Sequence, residues 1–331
     1  MNQTLTTHPP AKLNLFLELL SKRADGFHEI ESVMLPIDWC DTLSLRTSDT
    51  PSIELSVHAP QPINGNLDSG DASDQGTGKR VEQIPTDHRN LVHQALEAFR
   101  KSFDIKSGFQ CQLTKRIPAG AGLGGASSDA ASALMLAAEL HGISKSEPGL
   151  LQIAAKIGSD VPFFLGCPAP ENHQHTQRTN ATCPAAYATG RGEILTELQC
   201  PSKLFFLVVF PGKGLSTPQV YANSSVPTET VSSRPIIDAM RSGDASTIAA
   251  NLFNRLEEPA KKLAPEVNIA LESMQESGLP GYLMTGSGSA CFGMTQDEQT
   301  ARRAAESFKE QAGPGFTIQI ARNTDVPALV H

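Results

Sequence analysis

Arg116-Ile117-Pro118-Ala119-Gly120-Ala121-Gly122-Leu123-Gly124-Gly125-Ala126-Ser127-Ser128-Asp129-Ala130-Ala131 is the stretch on which the reading of this chain turns. Glycines stand at 120, 122, 124 and 125, and an alanine-rich run carries on to Gly142. Glycine accepts positive φ and lets backbone approach a ligand without a Cβ in the way. Alanine is the strongest helix former, and Ser127 or Ser128 is the expected N-cap. A glycine loop feeding a helix start aims free N–H groups and the positive dipole end at one spot, which makes a phosphate cradle. A tight turn before a buried helix is the other reading, and this stretch alone leaves both open.

Two familiar phosphate loops do not fit. A Walker loop needs Lys and then Ser or Thr after its last Gly, and Gly212-Lys213-Gly214 lacks the hydroxyl. A dinucleotide fingerprint wants an acidic residue about 20 positions on, whereas Glu139 is too near and Glu147 lies beyond a Gly and a loop.

Upstream, Lys12 to Leu19 alternates, with leucines at 13, 15, 17 and 19, and reads as a half-buried strand. Asp25-Gly26 marks a turn, and strands are expected near 29–37, 42–46 and 53–57. His58 to Arg89 is rich in Asp, Gln, Gly, Ser and Pro and is expected to be a surface insertion with little to bury. Asn90 then caps a helix with Leu91, Ala95, Phe99 and Phe103 on one face, and 109–115 is a strand running into the loop.

Downstream, a helix from Ser146 stops at Gly158, and Gly158-Ser159-Asp160-Val161-Pro162-Phe163-Phe164 sets one carboxylate against an apolar run. A second polar stretch, 167–185, holds His173 and His175, which read as solvated surface rather than a metal pair. Buried strand 203–210 follows, then helices at 236–241, 247–256 and 265–277. A strand at 282–285, the turn Gly286-Ser287-Gly288-Ser289, a strand at 290–294, a helix at 297–311 and a strand at 316–321 complete an α–β–β–α–β unit. The division expected is one α/β domain over 1–166, a polar loop over 167–185 and a second α/β domain over 186–331.

A chain of 331 residues can bury a real core in each half. Its net charge of −8 and the lack of a long Lys/Arg run argue against nucleic acid as a partner. Six scattered cysteines without a C-x-x-C pair read as reduced thiols, not as a zinc site or disulfide frame. Met1 to Pro10 lacks a signal-peptide core, and the apolar run 204–210 is too short to span a bilayer, so a cytoplasmic protein without membrane partners is expected.

Together these stretches resemble the GHMP kinase superfamily of small-molecule kinases. Pro118, Gly122, Leu123 and Gly124 match its phosphate loop, with Gly125-Ala126 inserted before Ser127-Ser128. That longer loop is similar to the branch of 4-diphosphocytidyl-2-C-methyl-D-erythritol kinases. Segments 10–15, 23–28, 158–164 and 284–291 agree with the same branch in order. The resemblance implies an α+β fold of two domains: an N-terminal ATP-binding domain like ribosomal protein S5 domain 2, and a ferredoxin-like C-terminal domain. It implies ATP-dependent phosphorylation of the 2-hydroxyl of the cytidine-diphosphate-linked alcohol, on the non-mevalonate route to isoprenoid precursors. The rivals are another kinase of the superfamily, of homoserine or mevalonate type, and a non-catalytic nucleotide-binding regulator.

The resemblance also assigns roles. The triphosphate lies on Pro118, Ala119, Gly120, Ala121, Gly122, Leu123, Gly124, Gly125, Ala126, Ser127 and Ser128, with Asn90 and Lys115 near adenine and ribose. Asn90 has a second reading as a plain cap. Magnesium is expected with ATP, and Ser127, Ser128 or Asp129 could supply oxygen, although Asp129 suits the helix dipole better. Asp160 is the candidate base and Lys12 its cationic partner. Asn14, Phe27, His28, Thr217 and Tyr221 are the candidate substrate contacts, with Phe27 where the family usually has Tyr. Monomer and homodimer both remain open.

Overall fold

The structure is a computed structural model, and it describes residues 3–58, 84–166 and 185–324. Most of the expected insertion at 58–89 and of the polar loop at 167–185, with His173 and His175, lies outside the described residues. In the first half, β-branched and alternating runs form β1 (Thr4–Thr7), β2 (Pro10–Lys22), β3 (His28–Cys40), β4 (Thr42–Ser48) and β5 (Ile53–His58). They are followed by α1 (Leu91–Ser102), β6 (Gly108–Thr114), α2 (Gly125–Leu140), α3 (Pro148–Ile157) and α4 (Val161–Leu165). Two short strands, β7 (Ala186–Thr189) and β8 (Ile194–Glu197), come next.

The second half holds β9 (Phe205–Phe210), α5 (Thr217–Ala222), α6 (Arg234–Ser242), α7 (Ala245–Ala250) and β10 (Phe253–Asn254). It ends with α8 (Glu257–Leu263), α9 (Glu266–Glu276), β11 (Gly281–Met284), β12 (Cys291–Thr295), α10 (Glu298–Ala312) and β13 (Thr317–Arg322). The helix expected over 247–256 stops at Ala250, because Phe253 and Asn254 leave it to pair in parallel with Phe16 and Leu17 of β2.

Three sheets result, ordered β1-β4-β6-β5, β10-β2-β3-β7-β8 and β11-β12-β9-β13. The third, all antiparallel with α9 and α10 beside it, has the ferredoxin-like order expected of the second half. The middle sheet joins the halves. Its strand β2 receives β10 from the second half, and β7 and β8 extend it from β3, so the expected line after residue 185 runs through a single sheet.

β2 is buried along nearly its whole length, on both faces, rather than half-buried. Leu13, Leu15 and Phe16 enter a shared core with Phe206, Phe292 and Met294. The polar positions Lys12, Asn14 and Glu18 are covered too, Asn14 and Glu18 by contacts from the second half. Burial of charge demands partners. Glu18 finds two Arg255 nitrogens, at 2.7 and 2.6 Å, and accepts from the backbone N–H groups of Val231 and Leu19. Burial pushes its carboxyl upward, but these donors more than offset it and hold it below the usual range.

Candidate functional site

The glycine loop is fastened from behind. The carbonyl of Leu123 accepts from Lys12 N–H at 2.9 Å, that of Ala121 from Ala290 N–H at 3.0 Å, and that of Gly120 from Leu215 N–H at 3.0 Å. With its carbonyls turned to these anchors, the loop leads into α2 through Gly124 at φ +72°, the N-cap position. The expected serine cap is not formed. α2 starts at Gly125, and no side chain caps it, so its first N–H groups are left for a ligand. The reason lies in position: Ser127 and Ser128 are already inside the first turn. Ser127 lines the cavity in front, but Ser128 is fully buried and its hydroxyl has no partner among the described residues.

That cavity, of about 1370 Å³, is lined by the loop from Pro118 to Ser127 and by Lys12, Asn14, Asp160 and the candidate substrate contacts. Asp160 precedes α4 and makes no capping bond, so its carboxylate is available to the cavity. Lys12 Nζ lies 3.5 Å from Asp160 Oδ2, donates to the Gly122 carbonyl at 2.9 Å and also reaches Asn14 Oδ1. A buried ammonium held by a loop carbonyl and a side-chain amide thus stands beside the candidate base. Asn14 reaches the same wall, but its amide is engaged by Lys12 and by Ser32 Oγ at 2.7 Å, and its backbone N–H by Thr285 Oγ1 at 2.8 Å.

At the other end of the cavity lie the candidate substrate contacts. Tyr221 stacks on His28, with centroids 5.2 Å apart, and the guanidinium of Arg191 covers Phe27 at 4.9 Å. Burial, and then the Lys22 charge, hold the His28 imidazole below its ordinary value, which favours the neutral ring. Burial, and then the negative charge of Asp160, push the Tyr221 phenol up. Thr217 Oγ1 shares a hydrogen bond with Ser287 Oγ at 2.8 Å, across the turn at 286–289.

Asn90 does cap α1, accepting from Val92 N–H at 2.9 Å, and its amide donates to the Pro85 carbonyl at 2.7 Å. Lys115 also lines the cavity, and its ammonium is engaged by Asp129 Oδ2 at 2.6 Å and by Asp41. Asp129 therefore belongs to a buried ion cluster with Lys115 and Asp41. Burial pushes its carboxyl up, the Lys115 charge opposes this, and the Asp41 charge adds to it. Asp41 Oδ1 further accepts from the N–H groups of Arg116 and Ile117, which ties the strand end to the loop. Neither Asp41 nor Thr285 was legible as a site residue, since each acts through a partner more than 70 positions away.

Among known proteins, residues 90–166 match the model of the GHMP kinases N-terminal domain and residues 236–314 that of the GHMP kinases C-terminal domain. A 4-diphosphocytidyl-2-C-methyl-D-erythritol kinase of Rhodopirellula baltica is 39% identical over 98% of this chain and 97% of that one. The chain belongs to the 4-diphosphocytidyl-2-C-methyl-D-erythritol kinase family of GHMP kinases. The family's enzyme from Pelotomaculum thermopropionicum is 34% identical over 92% of this chain and 94% of its own. A crystal structure of 4-(cytidine 5'-diphospho)-2C-methyl-D-erythritol kinase superimposes with a TM-score of 0.68 at 29% identity, covering 97% of this chain and all of that one. Homoserine kinase from Cytophaga hutchinsonii gives 0.70 at 15% identity, covering 100% of this chain and 98% of that one, and so shares the fold alone. Shape does not separate these two kinases; the identity does. Among the described residues, this GHMP kinase has no helix long and apolar enough to cross a membrane and no cluster of three or more acidic, His or Cys side chains suited to a metal.

Proposed function

We propose that this kinase transfers the γ-phosphoryl group of ATP to the 2-hydroxyl of 4-diphosphocytidyl-2-C-methyl-D-erythritol. The observation that carries the reading is the Lys12–Asp160 pair, 3.5 Å apart, standing in one cavity with the uncapped start of α2. The phosphate tail lies on the backbone of Gly122 to Ser127, where N–H groups and the helix dipole favour anions. Asp160 accepts the hydroxyl proton as the substrate oxygen forms its bond to the γ-phosphorus and the bond to the ADP oxygen breaks. Lys12 neutralises charge on the attacking oxygen and the γ-phosphoryl group, in a position its own buried contacts hold.

Magnesium, when bound with ATP, shields phosphate charge. The donors fit such an ion only in part: Ser127, Asp129 and Asp160 line the cavity, with Asp129 drawn to Lys115, while Ser128 does not line it. Phe27, His28, Tyr221 and Thr217 form the end that receives the cytidine, where stacking faces and a neutral imidazole suit a base edge.

The test is ATP-dependent turnover by the purified protein on a panel of the cytidine-diphosphate-linked alcohol, homoserine, mevalonate and galactose. Product from the first alone is the expected result. Product from one of the others, with none from the first, would overturn the assignment in favour of a different small-molecule kinase.

A further inference from the structure

We propose that Arg191 is the residue that holds the diphosphate of the alcohol substrate, and so selects a nucleotide-linked alcohol over a bare one. The inference rests on the cytidine-linked reading above and deepens it.

Arg191 sits at the tip of the turn between β7 and β8, flanked by Gly190 at φ +72° and Gly192 at φ +110°. The turn is fixed on both sides. The Gly190 carbonyl accepts from Ile30 N–H at 2.8 Å, and Arg191 N–H donates to Glu193 Oε2 at 2.6 Å. A Cβ placed on Gly192 would lie 3.9 Å from Ser159 Cβ and 4.0 Å from Asp160 Oδ1, so the turn rests directly against the candidate base. From there the Arg191 side chain runs to Phe27, where its guanidinium stands 4.9 Å from the ring centre. The turn that carries Arg191 thus touches the carboxylate through Gly192 and the ring platform through the guanidinium.

Connectivity of the substrate says what belongs in that stretch. In a cytidine-diphosphate-linked alcohol the base and the reacting hydroxyl are separated by ribose and then by the diphosphate. With the base at Phe27, His28 and Tyr221 and the hydroxyl at Asp160, the diphosphate must pass Arg191. Asp25 and Asp160 both line the cavity, and each already has a cation of its own, Arg23 at 3.3 Å and Lys12 at 3.5 Å. Arg191 is left with less to neutralise: the Phe27 N–H and Arg23 come before it in holding the Asp25 carboxyl down, and its Nε is only loosely paired with Glu193, at 3.4 Å. A planar fork of donors whose hydrogen-bond partner among the described residues is this one weak contact is suited to two phosphate oxygens. On Phe27 the guanidinium covers one ring face, which a cytosine can take as the guanidinium moves onto the phosphates.

The experiment compares Arg191→Ala, Arg191→Lys and the unaltered protein by KM for each substrate and by equilibrium binding of CDP, CMP and cytidine. The alanine variant is expected to raise KM for the linked alcohol about tenfold to a hundredfold, the range for one or two charge-assisted hydrogen bonds, and to leave KM for ATP unchanged. Lysine should restore part of the loss, since it keeps the charge without the fork. The deciding comparison is the preference for CDP over cytidine, which the alanine variant should lose while binding cytidine as before. An equal loss for CDP and cytidine would mean that Arg191 only props Phe27, and the proposal would fall. No binding of CDP by the unaltered protein, with no turnover of the linked alcohol, would instead remove the reading beneath it.

Discussion

Gly122→Ala probes the seam that holds the glycine loop against the second half. Gly122 has φ +76°, and a Cβ there would lie 2.3 Å from the Thr285 carbonyl oxygen and 2.9 Å from Gly288 N. Alanine at such a φ costs about 1–2 kcal/mol. The two obstructing atoms are backbone, and they bond to each other at 3.0 Å, so neither can swing aside. Ordinary contact begins near 3.4 Å, so the loops must part by about 1.1 Å (3.4 minus 2.3). Overpacking of this kind costs about 1–3 kcal/mol more, for a total of roughly 2–5 kcal/mol. The melting temperature should drop by on the order of 10 °C.

The same displacement carries the Gly122 carbonyl away from Lys12 Nζ, which it holds at 2.9 Å. A shift of about 1 Å at a reacting centre can cost roughly a hundredfold in rate. Gly142→Ala is the matched control, because Gly142 has φ +64° and nothing within 4 Å of an added Cβ. Denaturant unfolding and steady-state kinetics on both variants separate the φ cost from the contact cost. If Gly122→Ala unfolds within about 1 kcal/mol of Gly142→Ala and keeps kcat/KM within about threefold of the parent, the seam argument is wrong.

Asp160→Asn removes the proton acceptor, and kcat should fall by about 10²–10⁴; a kcat within a few-fold of the parent would strip Asp160 of its role. Arg255→Ala leaves Glu18 buried without its cation and should cost about 3 kcal/mol in denaturant unfolding, whereas a cost under about 1 kcal/mol would show that solvent replaces the arginine. Burial pushes the Asp129 carboxyl above its ordinary range, against the pull of Lys115 and with the push of Asp41. A pKa raised on folding supports stability below the ordinary value and loses that support as pH climbs through the folded one. Stability should therefore decline as pH climbs above the ordinary carboxylate range, with a flatter slope in Asp129→Asn. Identical slopes in the two proteins would contradict this.

Local signals carried a good part of the fold. The α2 helix, the α1 helix with its Asn90 cap, β9 and the closing α–β–β–α–β run lie close to where propensity, capping and periodicity put them. Elements held by distant partners were invisible. β7 and β8 are four residues each and exist because β3 offers an edge to pair with, and β10 exists because β2 does. The serine cap failed for a local reason, since Gly124 in the left-handed region starts the helix before either serine. Of the site, the five motifs named the loop, Lys12 and Asp160, while the partners of Lys115 were beyond reach.

What the order of residues decided by itself was chemistry: a glycine-rich turn before a strong helix former, a lone Asp against an apolar run and aromatic residues after an Asp-Gly turn. What only the folded chain decided was who covers whom. The alternation of β2 reports which residues are polar, and it read as one dry and one wet face. The second half closes over much of the polar face, and that burial sets Asn14 beneath Thr285 and Glu18 onto Arg255. Polarity is a property of a residue and is written in the sequence. Burial is a property of its neighbours, some of them more than 200 positions away, and appears only when the chain has closed.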